Sequence, residues 1–222
     1  MVEIIVCGAA GRMGSTIVRL GQESPEIKLV GAVEFPGSPA VGRDAGEIAG
    51  VGNLGVAISD EIGLLLKDDR VIIDFTQPKA SLSFLKAAVE KSAPMVLCTT
   101  GFDKAEVAEI EKLAPRTRVV FSANMSIGVN LLLSILGNVA KTLGDDYDVE
   151  IVETHHRYKK DAPSGTALAL GRVIANALNR DLDSVAVSGR KGIVGERTQK
   201  EIAFLSIRSG DVVGDHTVSF GG

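Results

Sequence analysis

Two of the chain's three histidines stand side by side in Glu153-Thr154-His155-His156-Arg157-Tyr158-Lys159-Lys160-Asp161-Ala162-Pro163-Ser164-Gly165-Thr166. Five of the eight residues from His155 to Ala162 are basic, in a chain whose net charge is −4. Such a cluster is usually a solvated loop. Here it ends in Pro-Ser-Gly-Thr ahead of an apolar periodic stretch, so Ser164 can cap a helix whose free N–H groups form an anion site. Imidazole, ammonium and a helix start together suit a substrate that carries carboxylates. The helix end contributes roughly 0.3–2 kcal/mol toward an anion, and Lys159 adds a point charge and an available proton. A zinc site on His155 and His156 is the alternative. It fails because adjacent histidines point apart and no partner ligand stands at a useful spacing.

A second concentration of chemistry lies near the N-terminus. Gly8-Ala9-Ala10-Gly11-Arg12-Met13-Gly14 follows an apolar run and leads into a helical pattern. A dinucleotide pyrophosphate needs backbone N–H groups at a helix start, with no side chains in the way. Gly11 stands where the backbone must approach the phosphates, and Gly14 where helix must pack closely on strand. Ala9 takes the first position of the usual G-x-G-x-x-G, with Gly8 just before it, so the spacing is a variant. Glu34 ends the next apolar run, 20 residues beyond Gly14, where an acid accepts hydrogen bonds from an adenosine ribose. Phe35 follows it, and no cation is adjacent to grip a 2′-phosphate. The reading is a nicotinamide dinucleotide with NADH favoured and NADPH possible, since Arg43 in the following loop can soften the preference.

The elements that must position these residues follow from periodicity. Apolar runs at Val2–Cys7, Ile27–Val33, Val71–Phe75, Pro94–Thr99 and Arg118–Ser122 alternate with helical stretches at Arg12–Gln22, Pro78–Lys91 and Asp103–Leu113. That alternation predicts βαβ crossovers and a parallel sheet. Phe35–Gly55, rich in Gly and Pro, reads as loop. After Ser126 the pattern changes to a long apolar helix over Ile127–Leu143, a strand at Asp148–Glu153, and a helix from about Ser164 to Leu178. Two closing strands, Glu201–Arg208 and Val212–Phe220, are joined by Ser209-Gly210-Asp211, which marks a hairpin. The fold class is α/β: a Rossmann-type parallel-sheet domain over 1–126, plus an α+β domain with a mixed sheet over 127–222. Asn124–Gly128 stands as a hinge between them.

Composition narrows the function classes. Aromatics are 4% and tryptophan is absent, so the core is aliphatic. The acidic balance argues against a nucleic-acid partner. Cys7 and Cys98 lie far apart at the ends of apolar runs and read as reduced, buried thiols. There is no basic n-region or cleavage site at the start, and no apolar run approaches the roughly 20 residues a membrane span needs. The expectation is a soluble cytoplasmic protein.

The string His155-His156-Arg157-x-Lys159-x-Asp161-Ala162-Pro163-Ser164-Gly165-Thr166, together with Gly8–Gly14, closely resembles the 4-hydroxy-tetrahydrodipicolinate reductase (dihydrodipicolinate reductase) family of lysine and diaminopimelate biosynthesis. Asp74-Phe75-Thr76, Cys98–Phe102, Asn124–Asn130 and Gly214-Asp215-His216-Thr217 agree in order along the chain. The resemblance implies that His155 donates the proton and that Lys159 assists as second donor or charge stabiliser. It implies that His156, Gly165 and Thr166 hold substrate carboxylates. Gly8, Ala9, Ala10, Gly11, Arg12 and Met13 would cradle the dinucleotide phosphates, with Glu34 on the ribose. Cys98, Thr99, Thr100, Ser122, Ala123, Asn124 and Met125 would line the nicotinamide side. It further implies a homotetramer joined through the second domain's sheet, while the residues themselves give no metal site.

The chain departs from that pattern in three places. Phe35 stands where an arginine often follows the ribose acid, Gln77 stands where some members carry an arginine, and the sequence stops at Gly221-Gly222 where relatives continue with a strand and a helix. Three rival readings compete. A short-chain dehydrogenase needs Tyr and Lys separated by three residues on a helix, whereas Tyr158 and Lys159 are adjacent. A semialdehyde dehydrogenase needs a nucleophilic cysteine, for which Cys98 is the candidate. A nucleotide-sensing module leaves the His/Lys segment unexplained.

Overall fold

The computed structural model describes residues 1–222. The chain folds into two compact units, Met1–Ala123 and Asn124–Gly222. The division falls three residues before the expected 126/127 boundary. Asn124 accounts for the difference: its carboxamide accepts from the Ser126 N–H at 2.8 Å and donates to Thr166 Oγ1 at 3.0 Å, which ties it to the second unit.

The first unit holds β1 (Val2–Cys7), α1 (Arg12–Glu23), β2 (Ile27–Val33), α2 (Ala45–Ala49), β3 (Ile58–Ser59), β4 (Val71–Asp74), α3 (Pro78–Lys91), β5 (Met95–Leu97), α4 (Lys104–Leu113) and β6 (Val119–Phe121). Its six strands form one parallel sheet in the order β3-β2-β1-β4-β5-β6. The apolar runs are continuous because helices cover both faces. Ile5 and Cys7 enter one core cluster with Leu85, Met95 and Leu97, while Ile4 and Val6 enter another with Val18 and Ala32. The expected loop at Phe35–Gly55 contains the five-residue α2. Its signal was Asp44, whose carboxylate accepts from the Gly46, Glu47, Leu54 and Val56 N–H groups and folds the Gly-rich segment around itself.

The second unit holds α5 (Ile127–Leu143), β7 (Asp148–His155), α6 (Gly165–Ala177), α7 (Leu182–Val185), β8 (Ala186–Ser188), β9 (Ile202–Arg208) and β10 (Asp215–Gly221). Its mixed sheet runs β10-β7-β9-β8. The expected hairpin between the last two strands does not form. β7 lies between them, antiparallel to β10 and parallel to β9. Ser209–Gly214 instead crosses the end of β7, where the Ser209 N–H donates to His155 O at 2.9 Å and the Arg157 N–H donates to Gly210 O at 3.1 Å. Turn composition alone could not separate a hairpin from a link that steps over one strand.

One helical stretch, Ile127–Asp146, reaches 20 residues and is apolar enough to cross a bilayer by length and composition, contrary to the expectation that no run comes close. Its residues are not apolar all round. Leu136 and Ala140 join Leu170 and Ile174 of α6 in the core, while Asn130, Ser134, Asn138 and Thr142 recur at spacings of four as a polar stripe. One face of α5 packs into this unit, while Ile127, Leu131, Ile135 and Val139 form an exposed apolar stripe.

Candidate active site

In the first unit, the turns at the C-terminal ends of β1, β2, β4 and β5 surround a groove of about 1040 Å³. The strand order reverses between β1 and its two neighbours, and open α/β sheets bind ligands at such a switch point. Gly8, Gly11, Glu34 and Phe35 line the groove with Phe75, Thr76, Gln77 and Lys79. Gly14 is fixed by contact: a Cβ there would lie 2.0 Å from Gly8 O and 2.7 Å from Ala9 Cα. Helix α1 starts at Gly11 with no side-chain cap and no acid in its first turn, so its leading N–H groups stay available to an anion. Glu34 Oε1 accepts from the Ala10 N–H at 2.9 Å, and Oε2 accepts from the Phe35 N–H at 3.3 Å. The carboxylate is thereby held beside the glycine turn.

The remaining residues assigned to this unit behave differently. Arg12 and Met13 are exposed at the start of α1, and Thr100 is exposed after β5. Cys98 and Thr99 are buried. Burial pushes the Cys98 thiol up to about 11, with the Asp74 charge adding to it. A thiol held there is a poor nucleophile, which removes the main support for a cysteine-dependent dehydrogenase. Thr99 serves a buried network that sequence reading overlooked. Asp74 accepts from the Thr76 N–H at 3.0 Å and the Thr76 hydroxyl at 2.6 Å, and Ser81 Oγ donates to Thr99 Oγ1 at 2.8 Å. These bonds brace two of the turns that form the groove. Ser122 and Ala123 follow β6 in this unit, whereas Asn124 and Met125 belong to the second.

The second unit gathers the histidine–lysine segment around the end of β7 and the start of α6. Ser164 caps α6, its Oγ accepting from the Ala167 N–H at 3.1 Å, so the Gly165 and Thr166 N–H groups have no acceptor within the helix. His155 and His156 are both partly buried, and His156 Nδ1 is buried with no hydrogen-bond partner. Lys159 Nζ lies 2.8 Å from each carboxylate oxygen of Asp161. The Ala162–Pro163 peptide is cis.

Behind these residues lies a cluster whose roles the sequence reading did not assign. Glu153 continues the buried face of β7 beyond Val149 and Ile151, and its side chain is fully buried. Arg208 meets it with two bonds of 2.9 Å, the Ser164 N–H donates to it at 3.2 Å, and His155 Nδ1 lies in short contact with Oε2. Burial would push this carboxyl up. The Arg208 guanidinium, with His155 and Ser206, outweighs burial and holds it at about 2. His216 Nε2 lies 3.0 Å from Ser164 Oγ, and its ring is 5.1 Å from that of His155. Burial, followed by the neighbouring His155, holds His216 below the usual histidine value. Strand register creates this cluster, since His155 pairs with Arg208 on one side and Glu153 with His216 on the other. No local pattern could have shown it.

Residues 2–125 match the family model for the N-terminal part of dihydrodipicolinate reductase, and residues 128–222 match that for its C-terminal part. The chain belongs to the dihydrodipicolinate reductase family. It is 51% identical over 220 residues to the 4-hydroxy-tetrahydrodipicolinate reductase of Hahella chejuensis, covering 99% of this chain and 82% of the relative. It is 53% identical, with the same coverage, to that of Geobacter metallireducens. Among solved structures, the dipicolinate-bound dihydrodipicolinate reductase from Paenisporosarcina sp. TG-14 aligns over all of this chain and 84% of its own, with TM-score 0.67 and 22% identity. That likeness shares the fold. An amine dehydrogenase from Mycobacterium smegmatis aligns over 79% of this chain and 61% of its own, at TM-score 0.57 and 15% identity. The dihydrodipicolinate reductase family thus carries a Rossmann-type unit for a pyridine nucleotide and a mixed-sheet unit, and both are present here.

Proposed function

We propose that the chain reduces 4-hydroxy-tetrahydrodipicolinate to tetrahydrodipicolinate with a nicotinamide dinucleotide, in lysine and diaminopimelate biosynthesis. The observation that carries this reading is the gathering of His155, His156, Lys159 and the open start of α6 in one place within a member of this family. The first unit fits the dinucleotide. Gly14 permits a helix–strand approach that no side chain would allow, α1 offers unpaired N–H groups, and Glu34 can accept from ribose hydroxyls. When bound, the nicotinamide supplies the hydride. Glu34 with Phe35 beside it favours NADH over NADPH, because a carboxylate repels a 2′-phosphate.

Gly165 and Thr166 bind one substrate carboxylate through backbone N–H groups, and His156 binds with them. Lys159 offsets the charge of a second carboxylate and of the developing anion. The 4-hydroxyl leaves as water to give a conjugated C=N ring; hydride addition to that ring leaves negative charge on the distal atom, which a proton from His155 neutralises. Leu205 and Ile207 on the open face of the second unit's sheet are half-exposed, which supports assembly of a homotetramer through that face.

The test follows NADH oxidation with enzymatically generated substrate, with and without 2,6-pyridinedicarboxylate as a competing planar diacid. Turnover inhibited by the diacid is expected, with a higher kcat/KM for NADH than for NADPH. Tight NADH binding without turnover would overturn the reading in favour of a nucleotide sensor. His155→Gln is expected to lower kcat by roughly 10²–10⁴-fold, and near-normal turnover in it would move the acid elsewhere. Lys159→Ala is expected to raise KM as well as slow turnover.

A further inference from the structure

A carboxylate removed from water is costly unless its oxygens are matched by donors. Glu153 is matched completely. Oε1 accepts from Arg208 Nη2 and the Ser164 N–H, while Oε2 receives Arg208 Nη1 and faces His155 Nδ1. Arg208 alone would neutralise the charge, so stability gives no reason for a titratable ring at the fourth position. The opposite edge of that ring is also kept clear. A Cβ on Gly214, which precedes β10, would come within 2.9 Å of His155 Nε2, and Gly214 is itself exposed. Arg208 Nη2 also donates to Asp161 O at 2.6 Å, and the Asp161 carboxylate holds Lys159. One guanidinium therefore braces the partners of both His155 and Lys159.

We infer that Glu153, clamped by Arg208, is a positioning residue that directs His155 Nε2 outward and stabilises the charged ring as it serves the reaction. The inference rests on the reading of His155 as proton donor. A hydrogen bond at one ring nitrogen decides which tautomer is present and what the other nitrogen can do. With Nδ1 committed to a permanent carboxylate, Nε2 is the atom that gains and gives the proton. The other groups around the ring are Arg208 on β9, His216 and Asp215 on β10, and Lys159 and Asp161 in the loop after β7. Of the carboxylates, Glu153 is the one in contact with the ring, so its removal takes away the anion that touches the imidazole.

The experiment compares wild type, Glu153→Gln, Glu153→Asp and His155→Gln, and combines Glu153→Gln with His155→Gln. Glu153→Gln is expected to lower kcat at least roughly 10–100-fold, the cost seen for carboxylates that orient metal-bound histidines, with NADH affinity unchanged. The alkaline limb of its kcat/KM profile is expected to move to lower pH, and Glu153→Asp to restore that limb in part. In the His155→Gln background the same change is expected to cost little further, because both act through one step. Equal losses in both backgrounds, or an unmoved pH limb, overturn the inference while leaving the donor assignment intact. A slow His155→Gln enzyme is needed for that distinction, and a fast one overturns both. Nitrogen-15 NMR of wild-type histidine rings, assigned with His155→Gln, decides the matter even if Glu153→Gln does not fold. A neutral His155 ring protonated on Nδ1 supports the inference, and one protonated on Nε2 refutes it.

Discussion

Replacing Arg208 by leucine tests the electrostatic account of the second unit through stability alone. In the wild type the Glu153 carboxyl lies at about 2 against an ordinary 4.5. At about 1.4 kcal/mol per pH unit, that gap contributes on the order of 3 kcal/mol of stability at neutral pH. Because the folded value is depressed, the contribution is complete above about 4.5 and is lost as pH falls toward about 2. Arg208→Leu removes both guanidinium bonds and leaves the carboxylate buried with His155, Ser206 and the Ser164 N–H. Breaking one side of a buried pair costs about 3–5 kcal/mol, so a loss of that size is expected at neutral pH. Burial then dominates in the variant and pushes the carboxyl up. Its protonation on acidification relieves the buried charge, and the gap to wild type narrows as pH falls through 4.5. Urea titrations followed by tyrosine fluorescence measure this, since tryptophan is absent and Tyr147 and Tyr158 both belong to the second unit. A neutral-pH loss below about 1 kcal/mol, the level of an exposed ion pair, would refute the reasoning. So would a gap that is independent of pH.

Other consequences are simpler to state. Gly14→Ala places a Cβ 2.0 Å from Gly8 O, so it is expected to destabilise the first unit by about 1–3 kcal/mol and to weaken NADH binding, read by melting temperature and by titration of NADH fluorescence. Glu34→Ala removes the ribose acceptor and the bond to Ala10; loss of hydrogen bonds to a charged group worth about 1.5–3 kcal/mol is expected to raise the KM for NADH, while NADPH is affected less or gains. Cys98, buried and with its thiol at about 11, is expected to resist iodoacetamide at neutral pH with activity retained; rapid alkylation accompanied by inactivation would contradict its burial.

How much the sequence disclosed depended on the range of the interactions involved. Helices α3 and α5 occupy the expected residues because periodicity, a leading proline at Pro78 and a capping serine at Ser126 all act within a few positions. The glycine turn was legible for the same reason, as its requirements fall on neighbouring backbone. Short elements were missed: β3 and β8 have two and three residues and lack the longer apolar runs that betray the equally short β5 and β6. The closing strands were found but wrongly paired, because a short link can join adjacent strands or step over β7, and only the sheet decides. Arg208 and Glu153 are 55 positions apart. Their meeting depends on the parallel register of β7 with β9, which no spacing along the chain encodes.

On the proposed reading both units hold negative charge, and they do so with opposite surroundings. In each, a strand ends, a turn or loop follows, and a helix begins with N–H groups unmatched. At α1 the turn is glycine and alanine, and the Glu34 carboxylate bound to Ala10 stands beside it, with Arg12 exposed at the helix start. On the proposed reading such a site discriminates by shape and by acid–hydroxyl bonding, as suits a large ligand that must also leave. At α6 the preceding segment carries His155, His156 and Lys159, and the buried Glu153 charge is matched by Arg208. Cations near a helix start strengthen each other's hold on a small dianion but repel one another in its absence. Asp161 on Lys159 and Glu153 on His155 offset that repulsion. The carboxylates of this segment therefore keep its cations compatible with folding, and on the proposed reading a substrate carboxylate takes the place of Asp161, the exposed one of the two.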